Sequence, residues 1–195
     1  MHGRWDRSDT GGETYSYATR ATYSLGNRAR RALWGAVRFF LMKPSPRPAF
    51  GWRAFLLRLF GAQIGVGVKV YPHVDIWAPW NLTMADYSGL GDHAVVYNIA
   101  PVRIGPGVVV SQRAHLCAGT RDYASGDFDL ITLPIVIEEK AWVATEAFIG
   151  PGVTMGAGSV AGARAVVVKN VEAGVAVAGN PARVVNRRVE HERRP

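Results

Sequence analysis

The sequence is poor in cysteine and has no long hydrophobic run. Cys117 is the single cysteine among 195 residues, which excludes an intramolecular disulfide and fits a reducing compartment. Residues 1–22 are polar and lack the apolar segment of a signal peptide. The apolar stretch 32–42, interrupted by Arg38, is shorter than the about 20 residues that a membrane-spanning helix needs. We therefore expect a protein on the cytoplasmic side of a cell.

Acidic residues are scarce at both ends of the chain. Residues 1–63 hold 11 Lys+Arg against 3 Asp+Glu, and residues 183–195 hold 5 against 2, whereas residues 64–182 hold 7 against 10. The net charge of +8 therefore does not indicate a nucleic-acid-binding protein, and no nucleic-acid partner is expected. We divide the chain into an N-terminal extension with basic amphipathic helices (1–63), a repeat domain (64–182) and a basic C-terminal tail (183–195).

The N-terminal extension has two segments with helical periodicity after a loose lead-in over residues 1–24. Amphipathic helices are predicted within 27–43 and 52–62, separated by the proline-rich segment 44–48, because proline cannot continue a helix. The apolar positions of the first helix are Leu33, Trp34, Val37, Phe40 and Leu41. Either these helices pack on the domain or on a partner subunit, or residues 28–60 contact an anionic membrane surface, since arginines alternate with Trp, Phe and Leu.

From Ile64 onward an aliphatic residue recurs at every sixth position, and a mostly small residue follows four positions after each. Such a hexapeptide repeat builds triangular coils of about eighteen residues, which stack about 4.8 Å apart. Two-residue slips after Leu82 and after Val102 predict widened corners. The sequence therefore predicts an all-β solenoid, a left-handed parallel β-helix with N-terminal amphipathic helices. The aliphatic positions are Ile64, Val70, Ile76, Leu82, Met84, Leu90, Val96, Val102, Ile104, Val110, Leu116, Ile137, Val143, Ile149, Met155, Ala161 and Val167.

The repeat is interrupted between Leu116 and Ile137, which predicts an inserted loop over residues 122–136. An insertion in a solenoid costs conformational order and adds nothing to the core, so a functional role is the favoured interpretation. A tolerated surface insertion is the alternative.

The hexapeptides, the closing segment AGNPARVV (178–185) and the loop together resemble the hexapeptide-repeat O-acetyltransferases, such as the maltose and galactoside acetyltransferases. The segments SLGNRARRALW, WAPWNLTM and DFDLITLPIVI are similar to one branch, the colanic acid biosynthesis acetyltransferases. The resemblance implies a homotrimer with active sites between adjacent prisms. It also implies acetyl-CoA as the co-substrate and a sugar hydroxyl of an exopolysaccharide precursor as the acceptor.

The resembling enzymes carry their catalytic base, a histidine, in a Thr/Ser-His pair where this loop begins, but here the pair reads Thr120-Arg121, followed by Asp122. Arginine stays protonated and has no lone pair to offer, so it cannot act as the base. Arg121 could hold the substrate or the oxyanion while Asp122 or an acceptor carboxylate takes the proton. Alternatively, catalysis is slow, or the chain is a CoA-binding or structural scaffold without catalysis. His115 is a further candidate for the base, although it should lie at a different corner.

For the donor, the resemblance implies CoA contacts from coils after the loop. The matching positions are Trp142, Ala144, Thr145, Ala163, Lys169 and Arg183. Asn98, one coil before the loop, is a candidate for hydrogen bonding to the acceptor.

Two histidines raise the question of a metal. His73 and His93 are twenty residues apart and should stack on successive coils. Carbonic anhydrases of the same fold bind zinc with three histidines, but His115 occupies a different hexapeptide position and zinc needs three or four ligands in fixed geometry. No metal is expected.

Overall fold

The computed structural model describes residues 25–187, so the predicted lead-in 1–24 and the end of the predicted tail, 188–195, lie outside the described residues. The first helix, α1 (Leu25–Val37), continues into a π-helical turn, Arg38–Met42, and is followed by α2 (Phe50–Leu59). A short 3-10 turn spans Pro79–Asn81. No helix between residues 25 and 187 is long and apolar enough to cross a membrane.

The remainder of the described chain consists of short strands. They are β1 Gln63–Ile64, β2 Lys69–Val70, β3 Asp75–Ile76, β4 Leu82–Met84, β5 Gly89–Leu90, β6 Val95–Tyr97, β7 Val102–Ile104, β8 Val109–Val110, β9 His115–Cys117, β10 Gly119–Arg121, β11 Leu130–Thr132, β12 Ile135–Ile137, β13 Trp142–Val143, β14 Phe148–Ile149, β15 Thr154–Met155, β16 Val160–Ala161, β17 Val166–Val167, β18 Val175–Ala178 and β19 Arg183–Arg187.

Most strands form three sheets, which are the faces of a triangular prism and are parallel except for β19, while β10 and β11 form a separate antiparallel pair. Face I has the order β1-β4-β7-β12-β15, face II β2-β5-β8-β13-β16-β18-β19, and face III β3-β6-β9-β14-β17. The pairs Gln63 with Thr83 and Thr83 with Arg103 show that the first coils repeat every twenty residues, whereas Val136 pairs with Thr154 eighteen residues on. The chain is a left-handed parallel β-helix of about six coils, which confirms the predicted fold.

The core of the prism follows from the hexapeptide pattern. Every aliphatic repeat position after Ile64 is buried, and burial of one such side chain contributes about 1.5–3 kcal/mol. The small residues lie at the corners, where adjacent coils approach closely. A Cβ atom on Gly91 would lie 2.6 Å from the backbone nitrogen of Gln112, and one on Gly156 would lie 2.5 Å from that of Ala173. These two positions therefore require glycine.

The N-terminal helices cover the open end of the prism. The edge strands of the first coil would otherwise expose unpaired carbonyl groups. One side chain satisfies a carbonyl on each face: Arg58 Nη2 donates to Ile64 O (2.8 Å), Arg53 Nε to Val70 O (2.5 Å) and Trp34 Nε1 to Ile76 O (2.8 Å). The inner sides of both helices thus pack on the domain, as one of the two alternatives predicted.

The structure corrects the boundaries of the inserted loop. β12 begins at Ile135 and pairs with β7, so residues 135 and 136 already belong to face I. β10 pairs antiparallel with β11, which makes the insertion a hairpin over 118–134 rather than a loop over 122–136. Ile135 and Ile137 are both buried, as Leu82 and Met84 are, and so form another pair of buried aliphatic residues two positions apart. The predicted repeat contained Ile137 alone and therefore did not reveal this pair.

The predicted tail also begins later than expected. Residues 183–187 form β19, which runs antiparallel to β18 and closes the last coil of face II. The alternating hexapeptide pattern gives no signal for this strand, since all five of its residues are exposed.

Candidate active site

The hairpin leaves the prism at the corner between faces III and I, here called corner III/I. Arg121 ends β10 and faces Leu130 across the hairpin, and its Nη1 donates a hydrogen bond to Phe128 O at 3.0 Å. A guanidinium carries five N–H donors, so an exposed Arg121 retains the capacity to bind an anionic group.

Asp122 is fixed by the same hairpin. Its backbone N–H donates to Asp129 O at 2.8 Å, and its carboxylate Oδ1 accepts from the N–H of Ala124 at 2.9 Å. The carboxylate therefore lies directly beside Arg121 in the chain, held in a turn, and its second oxygen can accept another hydrogen bond.

The root of the hairpin is tightly packed while its tip is exposed. A Cβ on Gly119 would lie 2.8 Å from Ile99 Cγ2, and the Leu133 side chain comes within 3.1 Å of a Cβ placed on Gly152. Tyr123 and Phe128 at the tip are 75% and 58% exposed. These two aromatic side chains are suited to contact another molecule. The sequence contains a signal for this, since both aromatic residues occur in a loop that is otherwise mostly polar.

Asn98 lies at corner III/I one coil below the hairpin but does not face solvent. It is fully buried, its Oδ1 accepts from Ala78 N–H at 2.9 Å, and its Nδ2 donates to Ala78 O at 2.6 Å. The amide links two coils. This burial argues against the prediction that Asn98 hydrogen-bonds to the acceptor, because a side chain in this position has no solvent-facing polar atom.

His115 points outward from face III. Its ring meets the ring of Phe148 edge-on at 5.4 Å, and burial lowers its pKa, so the imidazole is neutral near pH 7 and can accept a proton. On the same strand, the Cys117 thiol donates to Gly119 O at 3.2 Å, which connects this face to the hairpin root.

The outer side of face II carries Trp142, the first of the predicted CoA residues. Its Nε1 donates to Ser111 Oγ at 2.9 Å, and it stands in register between Val109 and Val160. Trp142, Val109 and Val160 line a groove of about 600 Å³ that also includes Gly107, Lys140, Ala141, Ala176, Asn186 and Arg187. The groove depends on the stacking register, so the sequence did not reveal that Val109, Val160 and Arg187 belong to it.

The remaining predicted CoA residues divide between two corners. Ala144 and Thr145 lie at the corner between faces II and III, here called corner II/III. Ala163 lies at the same corner one coil further on, where the N–H of the adjacent Arg164 donates to Thr145 O at 3.0 Å. The Ala144 N–H is taken by Ala161 O at 2.9 Å, while Thr145 Oγ1 donates to Gln112 O at 3.0 Å.

Arg183 and Lys169 are separated in this arrangement. Arg183 in β19 is paired with Ala178 near corner II/III, whereas Lys169 follows β17 at corner III/I, the corner of the hairpin. Both side chains are exposed, as binding of phosphate requires.

The structure confirms that His73 and His93 stack on successive coils, with ring centroids 5.0 Å apart. Asp92, which the sequence reasoning missed, lies beside them, with its Oδ1 3.0 Å from His73 Nδ1. Burial favours the neutral carboxyl of Asp92, but hydrogen bonds from His73 and the charges of both histidines outweigh it and hold its pKa below the usual range. Arg47 lies 3.6 Å from the same carboxylate, so this cluster ties the N-terminal segment to corner II/III.

No protein-family model matches the chain. Among solved structures, a hexapeptide-repeat-containing acetyltransferase of Vibrio cholerae, in complex with acetyl-CoA, matches with a TM-score of 0.78 at 25% identity and covers 86% of this chain and 92% of that one. A galactoside acetyltransferase in complex with coenzyme A matches with a TM-score of 0.76 at 23% identity, covering 85% and 84%. The fold and the site define a hexapeptide-repeat acyltransferase.

Relatives in sequence narrow this class. The "Putative colanic acid biosynthesis acetyltransferase WcaF" of Escherichia coli K12 is 47% identical over 167 residues, which are 86% of this chain and 92% of the relative. The galactoside O-acetyltransferase of the same organism is 31% identical over 126 residues, 65% of this chain and 55% of that protein. The chain belongs to the WcaF family, which confirms the resemblance found in the sequence.

Proposed function

We propose that this chain is an acetyl-CoA-dependent O-acetyltransferase that acetylates a sugar hydroxyl in exopolysaccharide biosynthesis of the colanic acid type, on the cytoplasmic side of the cell. Its 47% identity to WcaF supports the pathway, and the acetyl-CoA complex of the Vibrio cholerae relative supports the donor. The observation that carries the proposal is the groove lined by Trp142, one coil beyond an exposed hairpin that bears Arg121.

We further propose that the protein is a homotrimer. The candidate residues form two groups, Trp142 to Ala163 with Arg183 near face II, and Arg121, Asp122 and Lys169 at corner III/I. Face III separates the two groups, and its outward side chains Val95, His115, Phe148 and Val166 are mostly apolar and half-buried. Packing of face III against a neighbouring prism would bury these side chains and bring the hairpin of one chain to the groove of the next.

The chemistry sets different tasks for the two neighbouring hairpin residues. The acceptor oxygen attacks the thioester carbonyl carbon, a C–O bond forms, the C–S bond breaks, and the hydroxyl proton must pass to a base. Arg121 is a donor, so we assign it to the acceptor or the oxyanion. The base is then Asp122 or a carboxylate of the acceptor.

A scaffold that binds CoA without catalysis is the second candidate, and the presence of Arg121 where the resembling enzymes have a histidine favours it. The two candidates differ in turnover and agree in CoA binding. Release of free CoA from acetyl-CoA in the presence of sugar acceptors supports the enzyme, and CoA binding without release supports the scaffold.

A thermal-shift titration with CoA tests the groove. Trp142→Ala should weaken CoA binding roughly tenfold, because a large aromatic contact surface is lost. Trp52→Ala is the matched control, since Trp52 is 43% exposed against 46% for Trp142 but lies at the N-terminal helices. Equal CoA affinities for both variants would contradict the assignment of the groove.

A further inference from the structure

The outer side of the N-terminal helices carries a set of exposed apolar side chains, here called the basal patch. On α2, Trp52, Phe55 and Leu59 occupy positions i, i+3 and i+7, whereas Arg53, Leu56 and Leu57 on the opposite side are buried against the first coil. Because α2 buries one side on the end of the prism, its other side points away from the prism. The members of the basal patch are Phe39, Phe40, Leu41, Trp52, Phe55 and Leu59, which are between 43% and 69% exposed.

The basal patch is one preformed surface built from two segments. Trp52 Nε1 donates to Leu41 O at 3.0 Å, which joins α2 to the π-helical turn. The rings of Trp52 and Phe55 stack at 5.9 Å, and those of Phe39 and Phe40 meet edge-on at 4.9 Å. A contiguous exposed apolar surface of this kind marks an interaction site.

The charged residues of the segment that carries the basal patch are all basic. Residues 25–60 contain eight Lys+Arg and no Asp or Glu. Lys43 Nζ lies 6.0 Å from the Phe39 ring, and Arg58 beside Leu59 is exposed. Two carboxylates of the first coils form ion pairs with basic residues of this segment, Asp75 with Arg38 and Asp92 with Arg47, and Asp92 also contacts His73.

We propose that the basal patch docks this acyltransferase on the surface of an anionic lipid bilayer. Apolar side chains enter the boundary between headgroups and acyl chains, while the surrounding cations bind lipid phosphates. Prisms that pack side by side in the proposed trimer would leave their ends uncovered, so three basal patches would point in the same direction. That multiplicity strengthens attachment, because each docked copy raises the effective concentration of the others at the bilayer.

Co-flotation of the full chain with vesicles tests the proposal. Phosphatidylcholine vesicles that contain phosphatidylglycerol should carry the protein, and pure phosphatidylcholine should carry much less. Removal of the exposed Lys43 beside Phe39 should lower binding roughly fivefold. Phe40→Ser combined with Phe55→Ser should reduce binding roughly tenfold or more. Phe128→Ser is the matched control, since Phe128 is 58% exposed but lies on the hairpin, and it should bind vesicles as the wild type does.

Two results would overturn the proposal. Equal flotation of the wild type and the double variant would show that the basal patch does not hold the bilayer. A double variant with altered sedimentation mass would show that the patch is a contact between copies of the chain. Vesicle binding needs neither CoA nor acceptor, so its failure and the failure of the proposed transferase activity are separate outcomes.

Discussion

Arg121 is the residue to which we assign contact with the acceptor or the oxyanion. It is exposed, anchored by the Phe128 carbonyl, and unable to take up a proton. Arg121→Ala should lower kcat/KM for acetyl transfer about 10²- to 10³-fold, because a charged donor to the acceptor or oxyanion is lost, while the CoA thermal shift is retained. Arg103→Ala, on the outer side of face I, is the control and should change neither quantity.

The variant Arg121→His distinguishes two explanations: that Arg121 holds the acceptor or oxyanion, and that the protein lacks a catalytic base. If Arg121 holds the acceptor or oxyanion, the histidine variant should lose turnover as the alanine variant does. A gain in CoA release, rising with pH as the imidazole loses its proton near pH 6.5, would instead show that absence of a base limits the wild-type protein.

Asn98 should be a determinant of stability rather than of acceptor binding. Asn98→Ala leaves the buried N–H and C=O of Ala78 without partners, which should lower the free energy of unfolding by about 2–4 kcal/mol. Asn170→Ala is the comparison, because Asn170 accepts one bond, from Thr154 N–H, at an exposed position of the same corner, and should cost about 0.5–1.5 kcal/mol. Denaturant unfolding measures both, and equal losses would contradict this assignment.

The sequence indicated Arg121 and Asp122 as candidates because their signal is contiguous: they occupy a motif position at the point where the repeat is interrupted. It could not reveal the burial of Asn98, since the partner Ala78 lies twenty residues away and meets it only through the coil register. Asp92 was missed for the same reason, because its relation to His73 is also one coil apart.

Among the elements, the N-terminal helices owe their stability to polar side chains as much as to apolar ones. Arg53 is fully buried and donates to Val70 O, Ser45 Oγ, Pro46 O and Arg47 O. Arg53→Ala should lower the free energy of unfolding by about 3–5 kcal/mol, since several buried acceptors lose their donor. Arg28→Ala, at an exposed position of α1, is the control in the same unfolding measurement and should change stability little.

In the N-terminal helices, the helical periodicity of the sequence does not predict which side chains after Arg38 are buried. The sequence grouped Phe40 and Leu41 with Trp34 among the apolar positions of the first helix, but Phe40 and Leu41 are exposed, whereas Trp34 and Met42 are buried. The π-helical turn explains this difference: Lys43 N–H donates to Arg38 O, five residues back, and the wider turn rotates the following side chains relative to a 3.6-residue period. Strands have no comparable ambiguity, because their side chains alternate strictly.

For the whole molecule, the proposed trimer can be tested by a substitution on face III. Phe148→Glu should dissociate the proposed trimer, because it places a charge in the apolar outer surface of face III. Thr154→Glu, on the outer side of face I, is the control and should leave three chains of 21.2 kDa together. Sedimentation equilibrium distinguishes these outcomes, and a wild-type protein that sediments as a monomer would contradict the trimer.

The β-helix could be predicted because its hexapeptide pattern recurs in every coil, whereas the hairpin and β19 lie outside that pattern. The site could be predicted only as a set of residues, since their division between two corners depends on the coil register. A site shared between chains would be divided in this way.

The three side chains that donate to the first-coil carbonyls also affect whether one molecule can pair end to end with another. An uncovered end of a β-solenoid is a template on which the last coil of another molecule can pair, and such head-to-tail pairing does not close on itself but grows into filaments. Trp34, Arg53 and Arg58 occupy one acceptor on each face of that end. On each face they therefore remove an acceptor that such pairing would need, which opposes fibre growth independently of catalysis.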